Sequence, residues 1–301
     1  MKMDYYDCII VGGSYSGLSA AMALGRSLRN VLIIDDGKPC NATTPHSHNF
    51  ITHDGKKPAE IAAIAKQQVE QYKTVKFYTG FALRGNKQDD GFQIETKAGD
   101  IFKSKKLIFA TGIRDIIPAI PGFSACWGIS VIHCPYCHGY EFRGNKTAIM
   151  SNGDIAFHFS QLIFNLTKDL TLITNGKSEL TAEQTEKLKK KNISVIEKEL
   201  DEVKHKEGYL EEVIFTDGSK IPLKALYAKL PFEHHCDIPV SLGCEFTEHG
   251  FIKTDNMQKT TIPGVFACGD NSSFMRSVAN AVATGNIAGA AVNRELCEME
   301  F

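Results

Sequence analysis

The sequence predicts an α/β protein with parallel sheets divided between two domains. Strand and helix signals alternate in βαβ fashion along the chain. The alternation begins twice, near residue 7 and again near residue 146. At 301 residues the chain is long enough for about two domains, each with its own core. With 34 basic against 35 acidic residues the net charge is −1, so charge gives no reason to expect nucleic acid or an anionic membrane as a partner. No apolar run reaches the roughly 18 residues that a membrane span requires. The segment from Met1 to Asp7 carries no signal-peptide pattern, because a strand begins at Cys8 almost at once. Nine cysteines, an odd and scattered set, fit a reducing compartment, and a cytoplasmic location is expected.

Local pattern justifies each element in turn. Asp7 to Val11 reads as a buried strand, a glycine-rich turn follows, and Gly17 to Leu28 carries helical periodicity. Val31 to Ile34 is the next strand. Pro58 to Tyr72 reads as a helix, with Pro58 at a first position where its missing N–H costs nothing. Phe92 to Thr96 and Ile101 to Phe109 read as antiparallel strands around the turn Lys97-Ala98-Gly99-Asp100. The pattern then restarts: strand Lys146 to Met150, turn Ser151 to Gly153, helix Ile155 to Asn165, strand Leu170 to Thr174. A helix from Thr181 to Lys191 and a strand from Ile193 to Ile196 follow. The strand Val265 to Ala267 and a small-residue helix from Ser277 to Leu296 close the chain.

The first turn reads Val11-Gly12-Gly13-Ser14-Tyr15-Ser16-Gly17. A dinucleotide-binding turn uses glycines so that backbone can approach a pyrophosphate seated on a helix N-terminus. Gly12 and Gly17 stand at the first and third fingerprint positions, and Ser14 replaces the middle glycine. Asp35 ends the following strand, where a carboxylate can accept hydrogen bonds from an adenosine ribose. Asp36 is the neighbour that takes this role if the register differs by one.

The most specific signal is the run Thr261-Ile262-Pro263-Gly264-Val265-Phe266-Ala267-Cys268-Gly269-Asp270-Asn271, whose strand delivers Gly269 and Asp270 to a turn before a helix. Ala110-Thr111-Gly112 is the matching element in mid-chain. Together these resemble the two-dinucleotide-fold (Rossmann-like) flavoproteins, and specifically the low-molecular-weight thioredoxin reductase family, over nearly the whole chain. The resemblance implies a discontinuous FAD domain, residues 1–115 and 245–301, with an NAD(P)H-type domain, residues 116–244, inserted between. It implies FAD contacts from Gly12, Gly13, Ser14, Gly17, Asp35, Thr111, Gly112 and Gly269, with Asp270 on a ribityl hydroxyl. Arg276 falls where the family has a basic residue, and Ser277 and Val278 open a helix pointing at the flavin pyrimidine. Asn49 falls where family members contact the isoalloxazine.

The motif His133-Cys134-Pro135-Tyr136-Cys137-His138-Gly139-Tyr140-Glu141 carries the chemistry. Two cysteines separated by two residues can close a small disulfide ring. Pro135 suits a first helical position, which places the thiols at a helix N-terminus whose positive end favours thiolate. By resemblance Cys137 faces the flavin and Cys134 meets the substrate. His138 stands where thioredoxin reductases carry an acidic residue, and a histidine can serve there as proton donor and acceptor. The Cys-x-x-Cys-His-Gly-Tyr-Glu form is similar to dithiol oxidases of the holomycin and gliotoxin type. No metal is expected: adjacent ligands on one short turn seldom close a tetrahedron, and His234-His235-Cys236 reads as a loop.

The second turn reads Ser151-Asn152-Gly153-Asp154-Ile155-Ala156, with Ser151 in place of the first glycine. The next strand ends Thr174-Asn175-Gly176-Lys177, without the family's basic clamp for a 2′-phosphate. Use of NAD(P)H therefore stays open. The leading expectation is a thioredoxin reductase-like enzyme acting on a thioredoxin-like protein or a small dithiol or disulfide, and homodimeric as the family is. An oxygen-using dithiol oxidase and a non-catalytic flavin redox sensor are the alternatives.

Overall fold

The structure is a computed structural model and describes residues 5–301. Residues 1–4, which begin the segment expected to carry no leader, lie outside the described residues. Contacts divide the chain into two units: residues 1–42, 49–114 and 233–301 form one, and residues 43–48 and 115–232 the other.

The first unit opens with β1 (Tyr5–Val11), α1 (Tyr15–Arg26) and β2 (Val31–Asp35), the expected βαβ start. β1 and β2 are buried along almost their whole length, as strands covered on both faces must be. Helix α2 (Pro58–Glu70) begins on its proline and leads to β3 (Val75–Thr79). β4 (Ala82–Gln88) and β5 (Gly91–Thr96) form a hairpin, and β5 runs antiparallel to β6 (Ile101–Phe109). β7 (Ile113–Asp115) leads into the second unit.

There α3 (Phe123–Cys126), β8 (Val131–Ile132) and the single-turn α4 (Pro135–His138) precede a second βαβ start. It runs through β9 (Thr147–Met150), α5 (Gly153–Ile163), β10 (Leu170–Ile173), α6 (Ala182–Lys190) and β11 (Ser194–Ile196). Thr181 caps α6 in a reciprocal box: its hydroxyl accepts from Gln184 N–H, and the Gln184 side chain accepts from Thr181 N–H. β12 (Leu200–Lys206), β13 (Tyr209–Phe215) and β14 (Lys220–Pro222) make a separate antiparallel sheet. β15 (Ala225–Ala228) then enters the parallel sheet, which runs β11-β10-β9-β15-β8.

The chain returns along β16 (Phe232–His234), which pairs with β7, and continues through α7 (Ile238–Ser241) to β17 (Val265–Ala267) and α8 (Val278–Glu300). The seven-stranded sheet of the first unit runs β3-β2-β1-β6-β5-β4, and β17 also pairs with β6. Residues 43–48 join the second unit, where Thr43 Oγ1 donates to the Trp127 carbonyl at 3.1 Å. Among the described residues no helix is long and apolar enough to cross a membrane.

A buried ion pair fastens α8 to β6. Lys106 is 8% exposed, and its Nζ lies 2.6 Å from Glu295 Oε2; Lys259 reaches the other oxygen at 2.8 Å. Burial acts to raise the Glu295 carboxyl, but Lys106 and Lys259 outweigh it and hold the group below its ordinary range. Removing one partner of such a pair strands the other charge away from water. Glu295→Ala is therefore expected to cost about 3 kcal/mol, read as a lower urea midpoint. A loss within about 0.5 kcal/mol, the range of ordinary surface substitutions, would mean that the pair holds nothing.

Candidate functional site

In the first unit the glycine turn lies between β1 and α1. Gly12 adopts φ +104°, and a Cβ there would sit 2.3 Å from the Ala110 carbonyl oxygen, so only glycine lets the end of β6 close on the turn. Asp35 ends β2. Its Oδ1 accepts from Gly13 N–H at 2.8 Å, and its Oδ2 accepts from Gly37 N–H at 3.2 Å. Asp36 pairs instead with Lys38, so Asp35 is the carboxylate at the turn. Ser14 is the N-cap of α1 but makes no side-chain bond to it, and the first turn holds no acidic residue. The positive end of α1, which Gly17 helps to form, is left for an anion.

β17 delivers the second half of this site. Gly269 N–H donates to Thr284 Oγ1 at 3.0 Å, and Asp270 Oδ2 lies 3.7 Å from Arg276 Nε. Ser277 caps α8, accepting from Asn280 N–H at 3.1 Å, and Val278 is the first helical residue. Asn271, which the sequence reading passed over, is fully buried. It donates to the Phe109 carbonyl at 2.9 Å and to Thr111 Oγ1 at 3.1 Å, beside Gly112. Its Oδ1 is buried with no hydrogen-bond partner. Its sequence signal is a polar side chain directly after Asp270, beyond an apolar strand. Asn49 is exposed and bonds locally, its N–H donating to Asp54 Oδ1 at 2.8 Å. The open helix end, the Asp35 carboxylate and the unsatisfied Asn271 oxygen all suit a dinucleotide such as FAD.

In the second unit Cys134 and Cys137 form a disulfide with Cα atoms 5.3 Å apart. Pro135 takes the first helical position as expected, but α4 spans only four residues. So short a helix sums few peptide dipoles, and the expected field at its N-terminus shrinks accordingly. A direct bond does more: Cys137 N–H donates to Cys134 Sγ at 3.2 Å. His138 ends α4 and is half-buried. Burial pushes its imidazole below the ordinary value; Glu141 pulls it back up, and His48 pushes it further down.

The other cysteines offer a contrast. Cys8, Cys126, Cys236, Cys244 and Cys268 are buried, and burial raises Cys236 to about 11 and Cys268 to about 12, so these thiols stay protonated and inert. Among the described residues no group of three His, Cys, Asp or Glu side chains could hold a metal ion.

The second unit's turn is filled by its own side chains. Asn152 Oδ1 accepts from Gly153 N–H and from Glu179 N–H, each at 2.9 Å, and its Nδ2 donates to the Lys177 carbonyl at 2.8 Å. Asp154 adds a negative charge to the first turn of α5, where Gln184 donates to it at 2.7 Å. A capped helix end carrying a carboxylate is a poor seat for a pyrophosphate.

The model of the family described as "Pyridine nucleotide-disulphide oxidoreductase" matches residues 6–285. A curated relative, thioredoxin reductase tcpT of Claviceps purpurea, is 32% identical over 96% of this chain and 94% of its own. The crystal structure of an oxidoreductase from Agrobacterium tumefaciens is 36% identical with a TM-score of 0.91, covering 98% of this chain and 99% of that one. The crystal structure of HlmI is 28% identical with a TM-score of 0.92, covering 98% and 93%.

The depressed His138 imidazole links stability to pH. Its folded value lies below 6.5, so between the two values the unfolded chain binds more protons than the folded one. This contribution is present above 6.5 and is lost as pH falls toward the folded value. Denaturant melts of wild type and His138→Gln should therefore diverge with pH only in that window, with wild type losing more on acidification. Parallel curves would place His138 in water.

Proposed function

Because the chain belongs to the pyridine nucleotide-disulphide oxidoreductase family, we propose that it is an FAD-dependent, thioredoxin reductase-like enzyme whose Cys134–Cys137 pair exchanges electrons with a disulfide or dithiol substrate. The observation that carries this reading is the closed Cys134–Cys137 disulfide, half-exposed, with a neutral imidazole next in sequence. Residues 1–114 and 233–301, without 43–48, serve as the FAD domain in this reading. Gly12, Gly13, Ser14 and Gly17 seat the pyrophosphate; Asp35 takes the ribose. Asp270, Arg276 and the start of α8 at Ser277 and Val278 hold the ribityl and flavin side, with Thr111, Gly112, Gly269 and Asn49 lining it. Bound FAD supplies a two-electron store that can oxidise the dithiol or reduce the disulfide.

The residues of the chain do the rest. In dithiol oxidation a substrate thiolate attacks Cys134 Sγ, the S–S bond breaks, and Cys137 leaves as thiolate. The second substrate thiol loses its proton to His138, and its sulfur attacks the substrate sulfur of the mixed disulfide. That bond breaks, Cys134 leaves as thiolate, and the substrate departs as a disulfide. Disulfide reduction runs the same steps in reverse. Cys134 is the sulfur that meets substrate, because the Cys137 N–H stabilises negative charge on it. The filled turn of the second unit supports weak NAD(P)H binding there. Thioredoxin-like proteins and small dithiols or disulfides are the substrate classes; pairing of two copies and a cytoplasmic location belong to the same reading.

Alkylation of the reduced enzyme tests the assignment. Iodoacetamide is expected to modify Cys134 before Cys137, and Cys134→Ser and Cys137→Ser should each retain flavin while dithiol turnover falls to background. Wild-type turnover in both variants would make the pair structural.

A further inference from the structure

Asn271 is a fully buried polar side chain where β6 and β17 end together in the first unit. Its backbone is held as well, with Ile252 N–H donating to the Asn271 carbonyl at 2.9 Å. The Phe109 carbonyl settles which way the amide points. That oxygen can only accept, and it receives Cys268 N–H at 3.0 Å and the Asn271 amide at 2.9 Å, so the Asn271 atom facing it is nitrogen. The second hydrogen of the same nitrogen reaches Thr111 Oγ1 at 3.1 Å. Both amide hydrogens are thereby used, while Oδ1 stays buried with no hydrogen-bond partner. An apolar side chain of the same shape would fill the space without that cost. Since Phe109 already has a donor in Cys268 N–H, what the amide adds is the bond to Thr111.

A hydroxyl has one hydrogen to donate and accepts through its lone pairs. The Thr111 hydroxyl takes the Asn271 hydrogen, and among the described residues no acceptor takes its own. Thr111 is half-buried and stands against the glycine turn: its backbone nitrogen lies 3.1 Å from where a Cβ on Gly12 would be. Gly112 follows at φ +62°, and a Cβ there would meet open space. The Thr111 hydrogen is therefore turned away from Asn271, at a strand end of the kind where ligands of open α/β sheets bind. We propose that Asn271 is a positioning residue that makes Thr111 a hydrogen-bond donor to the bound flavin. This rests on the flavin-binding reading of this unit given above. By holding a lone pair of Thr111 Oγ1, the amide removes the orientations in which the hydroxyl hydrogen would face Asn271. The donor is thus aimed before the cofactor arrives, which strengthens the bond it makes to an acceptor there.

FAD release from the holoenzyme, followed as the rise of free flavin fluorescence after dilution, tests this in wild type, Thr111→Val, Asn271→Leu and the double variant. Each single variant is expected to release FAD about fivefold faster, the scale of one hydrogen bond. The double variant should be no faster than either alone, because Asn271 acts through the Thr111 hydroxyl. Thr111→Ser, which keeps the hydroxyl, should hold FAD as wild type does. A residue that merely pinned β17 to β6 would speed release as much in the Thr111→Val background as in wild type. Effects that add in the double variant therefore overturn the proposal, and so does wild-type release in Asn271→Leu. Should Asn271→Leu fail to fold, Asn271→Ala takes its place in the cycle. Wild-type release in Thr111→Val overturns the proposal without any change at Asn271. A wild-type chain that neither carries nor takes up FAD would instead remove the flavin reading itself.

Discussion

The pairing of β17 with β6 is the constraint on which the first unit rests. Val265, Phe266 and Ala267 stand opposite Leu107, Ile108 and Phe109, and all six are fully buried or nearly so. Closing so long an excursion of chain costs entropy, but the cost grows only slowly with length. Burial of the strand and the ion pair from Glu295 to Lys106 repay it locally. The register also sets the site. It brings Asn271 onto the Phe109 carbonyl and Thr111, and it places Asp270 and Arg276 beyond the same sheet edge that carries the glycine turn. Ligands of open α/β sheets bind at the carboxyl ends of such strands.

The two βαβ starts look alike in outline and diverge in what their turns leave open. At α1 the cap residue Ser14 leaves the helix end unfilled and no acid follows it; at α5 Asn152 fills the end and Asp154 charges it negatively. One fold thus appears twice with opposite readiness for a phosphate, which is why binding has to be argued from the turns and not from the fold. The second unit carries the disulfide all the same, on a single helical turn where Cys137 N–H donates to Cys134 Sγ.

Much of this was legible in the sequence. The glycine turn, Pro58 at the head of α2, the strand before Gly269 and the cysteine pair all write their geometry into adjacent residues. What was missed has a physical cause. β4 and β12 bury few residues, and in β12 only Leu200 and Val203 are buried, so neither shows a period-two signal. The first helix begins at Tyr15, ahead of its expected start, because helical backbone sets in before the apolar periodicity does. Asn271 earns its place only through a carbonyl at the end of another strand. The approach of His48 to Glu141 depends on a six-residue segment joining the other unit, and no local pattern encodes such a contact.

In the proposed function one disulfide on this chain shares redox equivalents with a bound flavin. Anaerobic titration of the purified enzyme with dithiothreitol, followed by counting electrons to the end point, tests it directly. The enzyme is expected to take up about two electrons beyond those the flavin takes, and to lose that increment when Cys134 and Cys137 are both replaced by serine. Uptake that ends with the flavin, or an increment that survives the double replacement, would contradict it.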